Sequence, residues 1–474
     1  MNGSHMPEHH AMTHSPIVAA AGPSRRQWLR AMAAAAAMGG AAGRGQANGY
    51  PADAFEIDDP QGAATREGYR AVADFEPLAA MWLSYDPGHA VLSAGLAAAL
   101  APRVSLHFLV RDDQAEQEAR AALREHAGLF GPGAAHRPVR FVQESAASFF
   151  LRDLAVFTAA PGGRTGLVDF RWSQYGVPAW CQRRWRDDRD AAAQCSADAD
   201  YSREEFEQLL ARHLGARLHP SSLALEGGGF ETNGRGLLIA NEALMRSRNP
   251  GLSRAAMEAA LLRLPGLKKV IWLPEGLAED PHLRAGIVGP YVAWGSGGHT
   301  DEFVRFADPR TVLLAWPEDA DAAAHPVARL TRARMQRNLE LLRRATDVER
   351  RPLRVLPVPM PRPVQRPAVL SADADTALSE GWTADFFAPH EGRRNGQQVM
   401  RMATCSYLNF VVANGVVVLP DYLPHGTPRA QQLRVQRVFE RAFPGREVRF
   451  VDAISANWVG GGLHCATLSQ PRPG

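Results

Sequence analysis

Cysteine is scarce in this chain, with four among 474 residues, at Cys181, Cys195, Cys405 and Cys465, and no two of them stand at CxxC spacing. That excludes a small disulfide scaffold and a zinc ribbon. Charge of one sign is missing too: 53 basic and 50 acidic side chains leave a formal +3, so no field draws the chain to nucleic acid or to an acidic membrane. After residue 50 no run approaches the roughly 20 apolar residues that spanning a bilayer of about 30 Å requires. Neither the GxGxxG fingerprint nor a Walker lysine occurs, which argues against a nucleotide phosphate loop. What is present is an ordinary globular composition, 46% apolar, enough to fill a large core.

The first residues stand apart. Met1 to Pro16 is rich in histidine and polar residues, and Gly3-Ser4-His5-Met6 has the form of an expression scar, so His9, His10 and His14 are read as tail rather than metal ligands. Arg25 and Arg26 then precede a short alanine-rich run, Ala31 to Ala42. Paired arginines before a weakly apolar segment form the twin-arginine export pattern, with a small-residue cleavage point near Gly45-Gln46-Ala47. The expectation is a leader over 1–47, recognised by the twin-arginine translocase, and one catalytic domain over 48–474 in the periplasm without a membrane anchor. In an oxidising compartment Cys181 and Cys195 stand either as a disulfide or as two free thiols. Cys405, within the apolar Thr404 to Val412, is read as core.

Along the body, strand and helix patterns alternate. Strands are expected at Ala79 to Tyr85, Val104 to Val110, Leu223 to Leu225, Val270 to Leu273, Leu353 to Val358 and Val448 to Asp452. Helices are expected at Gly88 to Ala101, Asp113 to His126, Phe206 to Leu214, Ala255 to Leu264, Val327 to Arg344 and Ala430 to Phe443. Several similar units in one chain imply a repeated α/β arrangement. The proline-rich Pro357 to Pro367 reads as a loop.

Chemistry concentrates in few places. Gly460-Gly461-Gly462-Leu463-His464-Cys465 sets a single thiol beside glycines that let backbone approach a ligand. Upstream lie Glu226-Gly227-Gly228-Gly229 and Gly297-Gly298-His299-Thr300-Asp301-Glu302. A thiol, an imidazole and carboxylates suit covalent chemistry on a polar carbon. Taken singly, Glu226 reads as a capping or surface acid rather than a catalytic one, His299 has no second histidine at metal-ligand spacing, and Arg152-Asp153 reads as a solvated strand end.

Together these blocks, with Ser406-Tyr407-Leu408-Asn409-Phe410 and Asn414-Gly415, resemble the agmatine deiminase and bacterial peptidylarginine deiminase family of guanidine-modifying enzymes, from about Asp74 to Pro471. The resemblance implies an α/β propeller of five pseudo-repeated units, pentein-like, around a central polar site. It implies Cys465 as nucleophile, His299 as proton-transfer group, Asp153 and Asp301 as carboxylates gripping a guanidinium, and Glu226 as the acid that orients His299. Carboxylates in pairs match the fixed donor fork of a guanidinium, and anions near Cys465 would keep the thiol protonated until a cation binds. No cofactor and no metal is implied.

The partner expected is a small guanidino compound or an arginyl peptide, released as a ureido product with ammonia. Phe150, Trp294, Tyr291 and Trp172 are candidate linings of the mouth, with core packing the alternative for each. Arg305 stands either as a substrate-binding counter-charge to the acids or as a strand-surface residue, and His464 is read as structural because neighbours in sequence point apart. The segment Ala293 to Gly298 lacks the acid typical of agmatine deiminases, and Phe150 replaces a tryptophan, so agmatine, arginine and peptidyl arginine stay open. The polar insertion Trp180 to Asp200, with Arg183, Arg184, Arg186 and Arg189, stands as a cover or as a carboxylate-binding element. An amidinotransferase and a non-catalytic exported guanidine-binding protein are the alternatives.

Overall fold

The computed structural model describes residues 63–130, 137–144, 148–198, 206–371, 382–387 and 391–472. The leader expected over 1–47 lies outside them. The chain is α/β, and five of the six sheets among the described residues share one pairing scheme. In each, two antiparallel strands are followed by a third that runs parallel to the second. The first unit is Val156–Ala160, Arg164–Arg171 and Arg217–Ala224, the second Phe230–Thr232, Leu237–Asn241 and Lys269–Leu273. The third is Val304–Phe306, Thr311–Trp316 and Arg354–Pro359, the fourth Val411–Ala413, Val416–Pro420 and Glu447–Val451. The fifth joins both ends of the chain, pairing Thr467–Pro471 antiparallel with Leu78–Ser84, which runs parallel to Ser105–Val110.

A helical crossover separates the second and third strands of each unit, as a parallel pair requires. The middle strands of the second and fourth units, Leu237–Asn241 and Val416–Pro420, are fully buried and apolar but for Asn241, because sheet and helices cover both faces. The longest crossover helix among the described residues, Pro326–Arg344, begins on proline, ends on Arg343 and Arg344, and buries Val327, Thr331, Met335, Asn338, Leu339 and Leu342. That is the i, i+4 stripe of an amphipathic helix, with proline where its missing N–H costs nothing. Each such leucine removed from water contributes about 2 kcal/mol.

The helix and strand expectations land within a few residues, with two corrections. Leu223 to Leu225 is the end of a longer strand, Arg217–Ala224. The proline-rich segment is not all loop, since Arg354–Pro359 pairs in parallel with Thr311–Trp316 and Gln365–Val369 pairs with Gln398–Met402. Prolines are tolerated there because both are outer strands of their sheets. The second of these belongs to the sixth sheet, which joins the hairpin His282–Val288 and Tyr291–Ser296, lying between the second and third units, to Gln365–Val369 and Gln398–Met402, lying between the third and fourth. The insertion expected from Trp180 forms helices Val177–Arg184 and Arg189–Asp198. Cys181 there is buried and disulfide-bonded, while the side chain of Cys195 lies outside the described ones. Among the described residues no helix is long and apolar enough to cross a membrane.

Candidate active site

Each of the five units contributes to one cluster from the residues just before its first strand. Asp153 closes the 3₁₀ turn Leu151–Asp153, and Glu226 leads the turn Gly227–Gly229. His299 leads the turn Thr300–Glu302, which carries Asp301, while Asn409 precedes Val411 and Cys465 precedes Thr467. All six side chains are buried. Arg152 and Asp153 therefore form no solvated strand end, and Glu226 is no surface acid, because the turns face inward.

Gly228 marks the point of convergence. A methyl group there would lie 2.8 Å from His299 Nδ1 and 3.0 Å from both Asp153 Oδ1 and Asp301 Oδ2, so only glycine leaves that space open. Gly298 is needed for a different reason: its φ of +95° is left-handed, and a Cβ would strike the amide of Asn241, which donates to the Gly298 carbonyl at 2.7 Å. The bend at Gly297 and Gly298 thus turns the chain from strand to His299.

His299 is held from three sides. Its backbone N–H donates to Asp280 Oδ2 at 3.1 Å, its Nε2 lies 3.2 Å from Glu226 Oε2, and its Nδ1 lies 3.5 Å from Asp153 Oδ1. Burial alone would depress its pKa, but Asp153, Glu226 and Asp301 overcome this and hold it up at about 9. Glu226 is itself gripped by Arg248, whose Nε donates at 2.8 and 3.0 Å to its two oxygens. Against burial, Arg248 and His299 bring Glu226 down to about 2. At neutral pH the arrangement is an imidazolium facing ionised carboxylates.

Cys465 Sγ accepts from Asn409 Nδ2 at 3.1 Å and meets Asp301 Oδ2 at 3.5 Å. Burial, then Asp301, Glu302 and Asp153, push its thiol well above the ordinary range, opposed by the Asn409 hydrogen bond. Burial also raises Asp153 to about 6; His299 opposes that, while Asp301 and Glu226 add to it. Two buried atoms in this cluster lack a hydrogen-bond partner, His299 Nδ1 and Asp301 Oδ1. Orphans of this kind suit a ligand that supplies the missing bonds. Asp301, Glu302 and Cys465 also offer ligand atoms within 4.8 Å of one another, so a soft cation bound there would compete for the same groups.

Several groups here escaped sequence reasoning. Arg248, Asp280 and Tyr175 had no local signal, while Asn409 stood unremarked inside a quoted motif. The Tyr175 hydroxyl donates to Asp153 Oδ2 at 2.9 Å, and its ring lies 6.2 Å from that of His299. Its φ of 55° and that of Gln174, 51°, are left-handed, a conformation that costs roughly 1–3 kcal/mol per residue. His282 Nε2 holds the Tyr175 carbonyl at 2.6 Å.

Other candidates fall elsewhere. Arg305 is fully buried rather than on a strand surface, bonded to Asp74 at 2.8 Å, to Glu231 and to the carbonyls of Leu408 and Phe410. Its guanidinium is committed to partners behind the site, which leaves it a counter-charge rather than a substrate contact. Phe150 packs under Gly461 and against Phe149. Trp294 stacks with Arg284, Trp172 meets Tyr175, and Tyr291 turns away to His325. Asp280, the acid nearest to Ala293 to Gly298, is spent on Ser296, Gly298 and His299.

The profile of a family described as Porphyromonas-type peptidyl-arginine deiminase matches residues 73–471. An agmatine deiminase of Stutzerimonas stutzeri (strain A1501) is 30% identical over 339 residues, which span 71% of this chain and 77% of that one. In fold, the agmatine deiminase of Enterococcus faecalis superposes with a TM-score of 0.62 at 21% identity, covering 86% of this chain and 97% of that chain. A substrate-bound agmatine deiminase of C. jejuni gives 0.57 at 16% identity, covering 85% and 96%.

Proposed function

The chain belongs to the Porphyromonas-type peptidyl-arginine deiminase family, and from that premise we propose how it deiminates a guanidino group through Cys465. It is a guanidine deiminase, releasing ammonia and leaving a ureido product. Its five sheet units read as the blades of a pentein-like propeller whose axis carries the site. The observation that carries the reading is the ring of Asp153, Asp301 and His299 around Gly228, with Cys465 Sγ 3.5 Å from Asp301 Oδ2 and buried polar atoms awaiting partners.

Asp301 Oδ1 and Asp153 accept the N–H donors of the planar cation. The bound positive charge offsets the acids that keep the thiol protonated, so the nucleophilic thiolate forms in the complex. Cys465 Sγ bonds to the guanidinium carbon, and His299, already protonated, gives its proton to the departing nitrogen. Ammonia leaves, and a thiouronium cation stays on the sulfur. Neutral His299 then takes a proton from water, hydroxide adds to the same carbon, and the C–S bond breaks to release the ureido product.

The matched agmatine deiminases favour a small guanidino substrate, yet the segment Ala293 to Gly298 supplies no acid for a distal amine, so arginine and arginyl peptides belong in the same test. The leader supports export to the periplasm by the twin-arginine route, with the rest of the chain as one catalytic domain. The deciding experiment is an ammonia-release screen over agmatine, arginine, acyl-arginine amides and arginyl peptides. Wild type should act on at least one and Cys465→Ser on none. Release by the serine variant at wild-type rate would overturn the reading.

A further inference from the structure

The site leaves one proton without a destination. Cys465 must shed its thiol proton before it can attack, and His299, held protonated by the acids around it, has no free capacity to take it. Among the described residues the sulfur has two polar contacts. Asn409 Nδ2 is a donor, so Asp301 Oδ2 at 3.5 Å is the acceptor. That same oxygen lies 2.7 Å from His464 Nδ1, and His464 Nε2 lies 2.7 Å from Asp74 Oδ2. Asp301 is wholly buried, whereas the side chain of Asp74 keeps 17% of its exposure. Asp74 and His464 both line a cavity of about 50 Å³, with Arg152, Glu231 and Ser469. A void of that size exceeds the roughly 10–15 Å³ that one water needs.

We propose that His464 and Asp74 are positioning residues of a proton relay, which carries the charge of the Cys465 proton through Asp301 to the cavity on the far side of the site. The relay rests on the reading of Cys465 as nucleophile. Burial and the nearby Arg152 and Arg305 hold His464 toward its neutral form, so the ring carries one proton and can accept a second at the nitrogen that lacks it. The thiol proton moves to Asp301 Oδ2 and on to His464 Nδ1, and the His464 Nε2 proton shifts to Asp74, so that Asp301 regains its charge. Asp301 keeps Oδ1 for the guanidinium. When the C–S bond later breaks, Asp74 returns its proton to His464, His464 passes one through Asp301 to sulfur, and the proton of the added hydroxyl passes to solvent, where it balances the ammonia released in the first half-reaction.

Arg152 at 3.2 Å and Arg305 at 2.8 Å fix Asp74 from behind, so the chain of groups is anchored at both ends. A purely structural His464 would need no second carboxylate reaching toward solvent.

The test is single-turnover rapid quench, following the first ammonia and the adduct on Cys465, for wild type, His464→Gln and Asp74→Asn, in H₂O and D₂O. Binding of a non-reactive guanidinium ligand, methylguanidinium, is measured in parallel. Adduct formation should slow on the order of tenfold to hundredfold in both variants, the lower range for a positioned proton-transfer group. The solvent isotope effect on that step should rise while the affinity for methylguanidinium stays within about twofold of wild type. Adduct formation at the wild-type rate in either variant overturns the relay, and so does a loss matched by equal loss of methylguanidinium binding. Wild type forming no adduct at all would instead refute the nucleophile itself.

Discussion

Replacing Glu226 with glutamine keeps its shape and one acceptor oxygen but removes the charge that faces His299 Nε2 at 3.2 Å. It also strands the cation of Arg248, which bonds both Glu226 oxygens and the Ser296 carbonyl. Both effects push the imidazole toward its neutral form. Holding His299 at about 9 against an ordinary 6.5 corresponds to about 3 kcal/mol of net support for the charged ring. If Glu226→Gln returns the group to its ordinary value, the protonated fraction at about pH 8 drops from roughly nine-tenths to a few per cent, a loss of about thirtyfold in rate. Near about pH 5.5 both enzymes keep His299 protonated, and the variant should approach wild type within about twofold. The assay is kcat/KM for ammonia release across pH, with the His299 ring followed by NMR in the same buffers. An alkaline limb that stays near 9 in the variant, or a loss uniform across pH, would refute the assignment of Glu226 as the support of the imidazolium.

Other expectations follow from the same geometry. Gly228→Ala places a methyl 2.8 to 3.0 Å from three site atoms, so it should cost more than about a hundredfold in kcat/KM with the melting temperature shifted by only a few degrees, checked by steady-state kinetics and calorimetry. Asp153 must be ionised to hold a cation, and burial raises it to about 6, so kcat/KM should fall as pH drops through that value. Tyr175→Phe removes a hydrogen bond that favours the ionised Asp153 and should move this acid limb upward, read from the same profiles. The folded-state pKa of His299 lies above its unfolded value, so its contribution to stability is complete below about 6.5 and fades as pH rises through 9. Wild type should therefore melt at a lower temperature at about pH 10 than at about pH 7, and His299→Ala should lose that difference.

The helices were legible because their apolar spacing is local, as in Pro326–Arg344, and the site blocks were legible because glycine clusters around a thiol or histidine are unusual. Partnership across the chain was not. Asp74 and His464 are 390 residues apart and meet at 2.7 Å, a contact that only closure of the fifth sheet by both chain ends creates. His464 was read as pointing away from the chemistry, yet its ring bridges Asp301 and Asp74 because the turn before Thr467–Pro471 aims both it and Cys465 inward. Tyr175 lies in a left-handed connection without periodicity, and Arg248 at the end of an ordinary helix, Glu242–Arg248. Proline hid one outer strand, Gln365–Val369, and the last residues of another, Arg354–Pro359, since a missing N–H is harmless only where no neighbour needs it.

The central claim is that Cys465 carries the substrate carbon during turnover. Acid-quenched enzyme, taken in the steady state with whichever guanidino substrate it turns over, should show by intact mass an increment equal to substrate less ammonia, mapped to the peptide holding Cys465. Steady ammonia release with no increment on Cys465, or with the increment on another residue, would contradict it.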